Sequence, residues 1–423
     1  MITRVLRAVA LMVVTTTLAA HASAQQKTTQ GHWVSAWSTA VHASRAFPGM
    51  PPLLSFENQT IRMVIRPTLG GGRLRIRLSN EFGAAPLAIG SAHVALVREN
   101  GSIVPGSDHL LTFGGAAAFK IPAGAPLLSD PVELKVTPFS EVAVSIFIPE
   151  KTEQMTYHLL GQHDTYISNA GDFTGAPEIH DAKITRSWYW LAGMEVWAPD
   201  RASAIVTLGD SITDGFAAKS QYGDWPNQLA NRLAQAKDSG TLAVENEGIG
   251  GNRILYDGAG VSALARFDRD VLSQAGVTDL IFLEGINDIG WPHMKMPANG
   301  STEPRVNPFA GQVVDAKELI AGIQQIVDRA HEHSIRVFGA TMTPYEGAGY
   351  YTEEGESVRQ AVNQWIRSGG AFDGVFDFDA AVRDPNHPGK FKEDLQSGDY
   401  LHPNAAGYKA MADAIDLSVL MRR

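Results

Sequence analysis

The stretch ASAIVTLGDSITDG, residues 202–215, decides the fold. Its apolar run Ala204–Leu208 is a strand candidate that leads straight into Gly209, Asp210 and Ser211. Working downstream, Leu242–Asn246, Asp279–Leu283, Arg336–Thr341 and Gly374–Phe378 are four further short apolar runs of the same kind. Helical stripes lie between them. Leu229 and Leu233 share one face, as do Leu319, Ile323, Ile326, Val327 and Ala330, and then Val358, Val362, Trp365 and Ile366. Met411, Ala414, Ile415 and Val419 predict a helix that closes the chain. Strands alternating with helices imply an α/β unit, residues 201–423, with a five-stranded parallel sheet covered on both faces.

Upstream the period changes to two. Ile61, Met63 and Ile65 alternate with Arg62, Val64 and Arg66, while Leu74, Ile76 and Leu78 alternate with Arg73, Arg75 and Arg77. These read as half-buried strands, and Gly70-Gly71-Gly72 between them reads as a hairpin turn. Ala92–Val97, Val132–Val136, Glu141–Ile148 and Ser187–Trp197 extend the pattern. Residues 31–200 are therefore expected to form an all-β sandwich or jelly-roll domain.

Residues 1–24 read as a secretory signal. Arg4 and Arg7 give a basic start, an apolar or small run follows from Ala8 to Ala20, and Ala22-Ser23-Ala24 offers a cleavage site. The protein is expected to be secreted or periplasmic, with no membrane association after cleavage. Its formal charge of −10 disfavours nucleic acid or an anionic membrane as partner. With 0 cysteines, neither disulfides nor a thiol nucleophile is available, so covalent chemistry must come from another residue.

In an open parallel sheet, ligands bind beyond the carboxyl ends of the strands. Four of the segments there carry reactive groups: Gly209 to Thr213, Gly248 to Arg253, Gly285 to Asp288, and Asp399 to Pro403. Ser211 sits where a strand turns into a helix, and Gly209 permits a tight backbone. A serine hydroxyl needs a base, and His402 with Asp399 three residues earlier supplies one with its orienting carboxylate. Pro403 biases His402 away from helical geometry and holds the pair in a loop. The backbone N–H groups of Ser211 and Gly251 and the amide of Asn287 are candidate donors to an oxyanion.

These segments resemble, in order, the blocks of the SGNH/GDSL hydrolases. Ser211 matches the serine of the first block, Gly251 the glycine of the second, Asn287 the asparagine of the third, and Asp399 with His402 the closing pair. Ile212 stands where the name motif has leucine. The resemblance spans about half of the chain. It implies a flavodoxin-like three-layer α/β/α domain and ester hydrolysis through an acyl-serine, with no metal or other cofactor. The segments Gly209 to Gly215 and Gly248 to Arg253 are further similar to a bacterial arylesterase or acylhydrolase-like branch associated with xylan degradation. The expected substrate is thus a small ester or an acylated polysaccharide.

Asp377 and Asp379 are rivals to Asp399 as the acid. Asp210, Asp214 and Asp288 are expected to hydrogen-bond loop backbone, and His331 and His333 to sit at a helix end. Trp291, Tyr345, Tyr350 and Tyr351 line either an acyl or sugar pocket or a satellite core. Trp33, Trp37, Trp188, Trp190 and Trp197 stack on sugars or fill the core. An acyltransferase using the same serine, and a glycan-binding protein with an ancillary esterase, stay open beside the hydrolase. Oligomeric state is not legible.

Overall fold

Five parallel strands, Ser203–Gly209, Leu242–Gly248, Val277–Leu283, Arg336–Ala340 and Gly374–Phe376, lie in the order second, first, third, fourth, fifth. The chain leaves the first strand for one side of the sheet and returns to the other. The switch point beside the first strand is where such sheets form ligand crevices. This arrangement comes from a computed structural model, which describes residues 30–44, 54–219, 221–236, 241–296 and 306–422. The expected leader at residues 1–24 lies outside the described residues.

Alternate side chains of the strands enter two apolar clusters. Val206, Leu208, Leu280, Phe282 and Val337 pack with Leu319, Ile323 and Ile326 of helix Ala316–Glu332 and with Val362 and Ile366 of helix Glu353–Ser368. Ile205, Ile281, Leu283, Phe338 and Ala340 join Trp225, Leu229 and Leu233 of helix Trp225–Gln235 and Tyr408 and Met411 of helix Ala405–Asp413. Capping fixes where the helices begin. Asp315 and Glu318 form a capping box, and the side chains of Asp224 and Thr352 each accept a backbone N–H of the first turn. The closing helix is in fact two. Ala405–Asp413 ends at Ala414, and Leu417–Met421 starts anew because the Asp416 side chain takes the Ser418 N–H.

Upstream, antiparallel strands form a four-stranded sheet, ordered His32–Ser38, Leu191–Ala198, Leu74–Ser79, Pro126–Leu128, and a larger sheet built on Gln59–Ile65, Val142–Ile148 and Ser91–Glu99. Both contribute to one apolar cluster, with Ile61, Met63 and Val144 from one and Ile76, Met194 and Val196 from the other. Three expectations need correction. Gly70-Gly71-Gly72 is no hairpin, since the strands it joins lie in different sheets. Its glycines instead allow backbone contact, for a Cβ on Gly70 would lie 2.6 Å from the Val136 carbonyl and one on Gly71 2.7 Å from that of Trp197. The run Val132 to Val136 makes only isolated bridges, to Leu74 and Gly71. Strand Ser187–Trp197 is broken at Trp190, whose φ of 56° turns the chain between sheets. On strand Gln59–Ile65, Arg62 is buried, donating to Ser145 Oγ at 2.9 Å and to the carbonyls of Gly101 and Ala176 at 3.0 and 2.6 Å.

Residues Gly31–Arg423 form one compact unit. The strand Leu242–Gly248 is an edge of the parallel sheet, and the β-rich region covers it. The Thr68 hydroxyl accepts the Val244 N–H at 2.9 Å and donates to the Val244 carbonyl at 3.1 Å, and Thr39 bridges Asn246. This explains why so polar a strand is buried: Ser38 donates to Glu245 and Gln274 to Glu247.

Candidate active site

Gly209, Gly248 and Leu283 are in register on three adjacent strands, so the loops that follow leave the sheet at one level. On the first of them, Gly209 has no room for a side chain, since a Cβ would lie 2.2 Å from Thr213 Oγ1. Asp210 then caps the short helix Ser211–Asp214 by accepting the Ile212 N–H at 2.9 Å. Ser211 follows as the first helical residue, 8% exposed.

From the last loop, His402 places Nε2 2.8 Å from Ser211 Oγ and Nδ1 2.6 Å from Asp399 Oδ2. The other Asp399 oxygen accepts from the Leu401 and His402 N–H groups at 3.0 and 2.9 Å and from the Ser397 hydroxyl at 3.0 Å. Burial pushes the Asp399 carboxyl up, but the hydrogen bonds from the His402 ring and backbone outweigh it and hold the group well below the usual carboxylate range. An ionised Asp399 keeps the proton on Nδ1, so Nε2 presents a lone pair to Ser211. Tyr400, at φ 59°, makes the turn that lets residues three apart face each other. Phe216, partly exposed, lays its ring 4.5 Å from the imidazole.

Asn287 is held on both sides. Its Nδ2 donates to the Asn252 carbonyl at 3.0 Å and its Oδ1 accepts from the Tyr350 hydroxyl at 3.2 Å, which orients the amide and leaves it a second N–H to offer. Gly251 has φ 80°, and a Cβ there would lie 2.7 Å from the Trp291 ring. Asp288 pins the neighbouring loop by accepting from the Ile254 and Leu255 N–H groups at 2.7 and 3.0 Å.

The structure thus brings Ser211, His402 and Asp399 into one hydrogen-bonded chain, with Gly251 and Asn287 on the loops that follow the two strands flanking the Ser211 strand. Asp377 and Asp379 are engaged elsewhere: Arg367 donates to both, and Arg359 and Arg383 donate to Asp379. His331 pairs with Asp373 at 2.9 Å. Trp291, Tyr345 and Tyr350 are buried in an apolar cluster, with Tyr351 packed against it. Trp188 and Trp190 are core, whereas Trp33 and Trp197 meet edge to face at 5.4 Å, partly exposed.

Sequence reasoning missed Arg266. Fully buried, it donates to the carbonyls of Gly209 and Glu247 at 2.9 and 2.7 Å, to Asn252 Oδ1 at 2.8 Å and to Asp270 at 2.9 Å, tying the ends of two strands to the Gly251 loop. An arginine four residues before an aspartate on a helix was the available signal, and it reads as a surface pair. Arg266→Met is expected to destabilise the protein by about 3–5 kcal/mol, because it strands buried carboxylates, and urea denaturation measures this.

Residues 207–410 match the family model described as GDSL-like lipase/acylhydrolase. Among curated proteins no match is found. Among solved structures, the chain is similar to a catalytic mutant of Axe2, an acetylxylan esterase from Geobacillus stearothermophilus, at 18% identity and a TM-score of 0.39 over 52% of this chain and 96% of that one. It is similar too to a member of the lipolytic protein G-D-S-L family from Veillonella parvula, at 18% identity and a TM-score of 0.35 over 52% and 100%. A GDSL-like lipase from Bacteroides thetaiotaomicron shares 15% identity, with a TM-score of 0.36 over 52% and 88%.

Proposed function

We propose, from the match of residues 207–410 to the GDSL-like lipase/acylhydrolase family, that the protein is an exported serine esterase that hydrolyses short-chain acyl esters through an acyl-Ser211 intermediate. The observation that carries the reading is the unbroken chain from Ser211 Oγ through the His402 ring to Asp399. His402 Nε2 takes the hydroxyl proton as Oγ attacks the ester carbonyl, and Asp399 stabilises the imidazolium that forms. The carbonyl oxygen becomes an oxyanion held by the N–H groups of Ser211, Gly251 and Asn287. Collapse expels the alcohol, which takes the proton from His402. Water, deprotonated by the same imidazole, then releases the acid and regenerates Ser211.

The wording of the first two blocks supports acetyl groups on plant polysaccharide fragments as substrate. The basic start, apolar run and Ala22-Ser23-Ala24 support export with cleavage before Gln25. A panel of p-nitrophenyl esters of rising acyl length, run beside acetylated xylo-oligosaccharides, tests the assignment. Rates are expected to fall as the acyl chain lengthens, and a protein inert to every ester on the panel would refute it. Addition of acceptor sugars is expected to leave the free acid as the product. Asn287→Ala is expected to lower kcat by about 10²- to 10³-fold with KM little changed, since its donor acts on charge that develops only in the transition state.

A further inference from the structure

One buried contact joins the β-rich region to the oxyanion loop, and the serine mechanism does not use it. Asp214, three residues after Ser211, accepts the Gly250 N–H on Oδ2 at 3.0 Å, while its Oδ1 lies 3.1 Å from His158 Nε2. His158 belongs to strand Thr156–His158 of the β-rich region, and its side chain and that of Asp214 are only 3% and 5% exposed. The second ring nitrogen, Nδ1, lies 2.8 Å from the Ala40 carbonyl, an acceptor. Two more residues of the same segment bear on the same loops. Leu160 lies over Gly250, where a Cβ would come within 2.8 Å of its Cδ1, and Gln162 donates to the Asp214 carbonyl at 3.0 Å.

We propose that segment 158–162 is a positioning element for the oxyanion hole: acting through Asp214, it fixes the Gly250 peptide and so aims the Gly251 N–H at the substrate oxygen. The inference rests on the esterase reading above. Asp214 holds the Ile249–Gly250 peptide by its N–H and Leu160 packs over the Gly250 Cα, so the next peptide, Gly250–Gly251, which carries the Gly251 donor, sets out from a fixed point. Both ring nitrogens of His158 face acceptors, so the imidazole donates from each. Burial lowers its pKa, and the charge and hydrogen bond of Asp214 outweigh that to raise it.

The test compares His158→Ala, Asp214→Ala and Asp214→Asn. An asparagine at 214 can still accept from Gly250 and donate to a neutral His158 that keeps its proton on Nδ1, so it preserves the hydrogen bonds without the charges. His158→Ala and Asp214→Ala are expected to lower kcat on p-nitrophenyl acetate about 10- to 100-fold with KM within about twofold, whereas Asp214→Asn recovers most of the loss. Backbone amide exchange in peptides covering 249–252 is expected to quicken in both alanine variants and not in Asp214→Asn. Leu160→Ala, a milder change, is expected to cost about tenfold in kcat and serves if the others do not fold. Folded alanine variants with native kcat, or an Asp214→Asn enzyme as impaired as Asp214→Ala, would overturn the proposal. A wild-type protein inert to esters would remove the esterase reading alone, and unchanged exchange at 249–252 in Asp214→Ala would remove the positioning role alone.

Discussion

Ser211→Ala is expected to reduce ester hydrolysis by about 10⁴-fold or more while leaving the thermal midpoint within a few degrees of wild type. The oxygen removed is the one that faces His402 Nε2, at 2.8 Å. A buried hydroxyl replaced by hydrogen leaves the helix cap untouched, because the cap is the Asp210 carboxylate on the Ile212 N–H. The measurement is kcat/KM on p-nitrophenyl acetate together with a melting curve. Labelling provides an independent arm: an alkyl p-nitrophenyl phosphonate is expected to add one phosphonyl group to Ser211 in the wild type and none to the variant. Native rates in a folded Ser211→Ala protein would remove the acyl-serine mechanism.

Asp399→Asn comes next in size, at about 10⁴-fold in kcat. One Asp399 oxygen accepts from two backbone N–H groups and a serine hydroxyl, so an asparagine must set its carbonyl there. Its NH2 then points at His402 Nδ1, in place of the oxygen now 2.6 Å away. A donor facing Nδ1 drives the imidazole proton to Nε2, and the lone pair that would take the Ser211 proton is gone. Stability is expected to change little by comparison, since Asp399 is half exposed and the backbone bonds survive. A loss under tenfold in Asp399→Asn would show that another carboxylate orients the base. Asp377 and Asp379 are poor substitutes, being bound to arginines.

The parallel sheet was legible because its strands are short apolar runs set between amphipathic helices, and the site was legible because each reactive group follows a strand on the ligand edge. What escaped was long-range. Gly70-Gly71-Gly72 carries a turn composition, yet on one side Ile65 pairs with Val142 and on the other Leu74 pairs with Val196, and local pattern cannot tell a hairpin from a crossover between sheets. The stripe Met411 to Val419 keeps helical period across a break that a single capping aspartate makes. His158 had no local signature, and Arg266 had only its i,i+4 spacing to Asp270, which reads as a surface pair. The first is a histidine on a short strand and the second one of many arginines on a helix, and their partners Asp214 and Gly209 lie 56 and 57 positions away.

The covered edge strand has a practical corollary. A truncated protein starting near Ala202 would keep all of Ser211, Gly251, Asn287, Asp399 and His402, yet it would bare the outer edge of strand Leu242–Gly248 together with Glu245, which now sits against Ser38. A naked strand of this kind invites pairing with another molecule, and expression of that fragment should give aggregates in place of a smaller working enzyme. Protein engineers seeking a minimal catalyst would therefore have to carry Thr39 and Thr68 along, or build a new cover for the strand they normally shield.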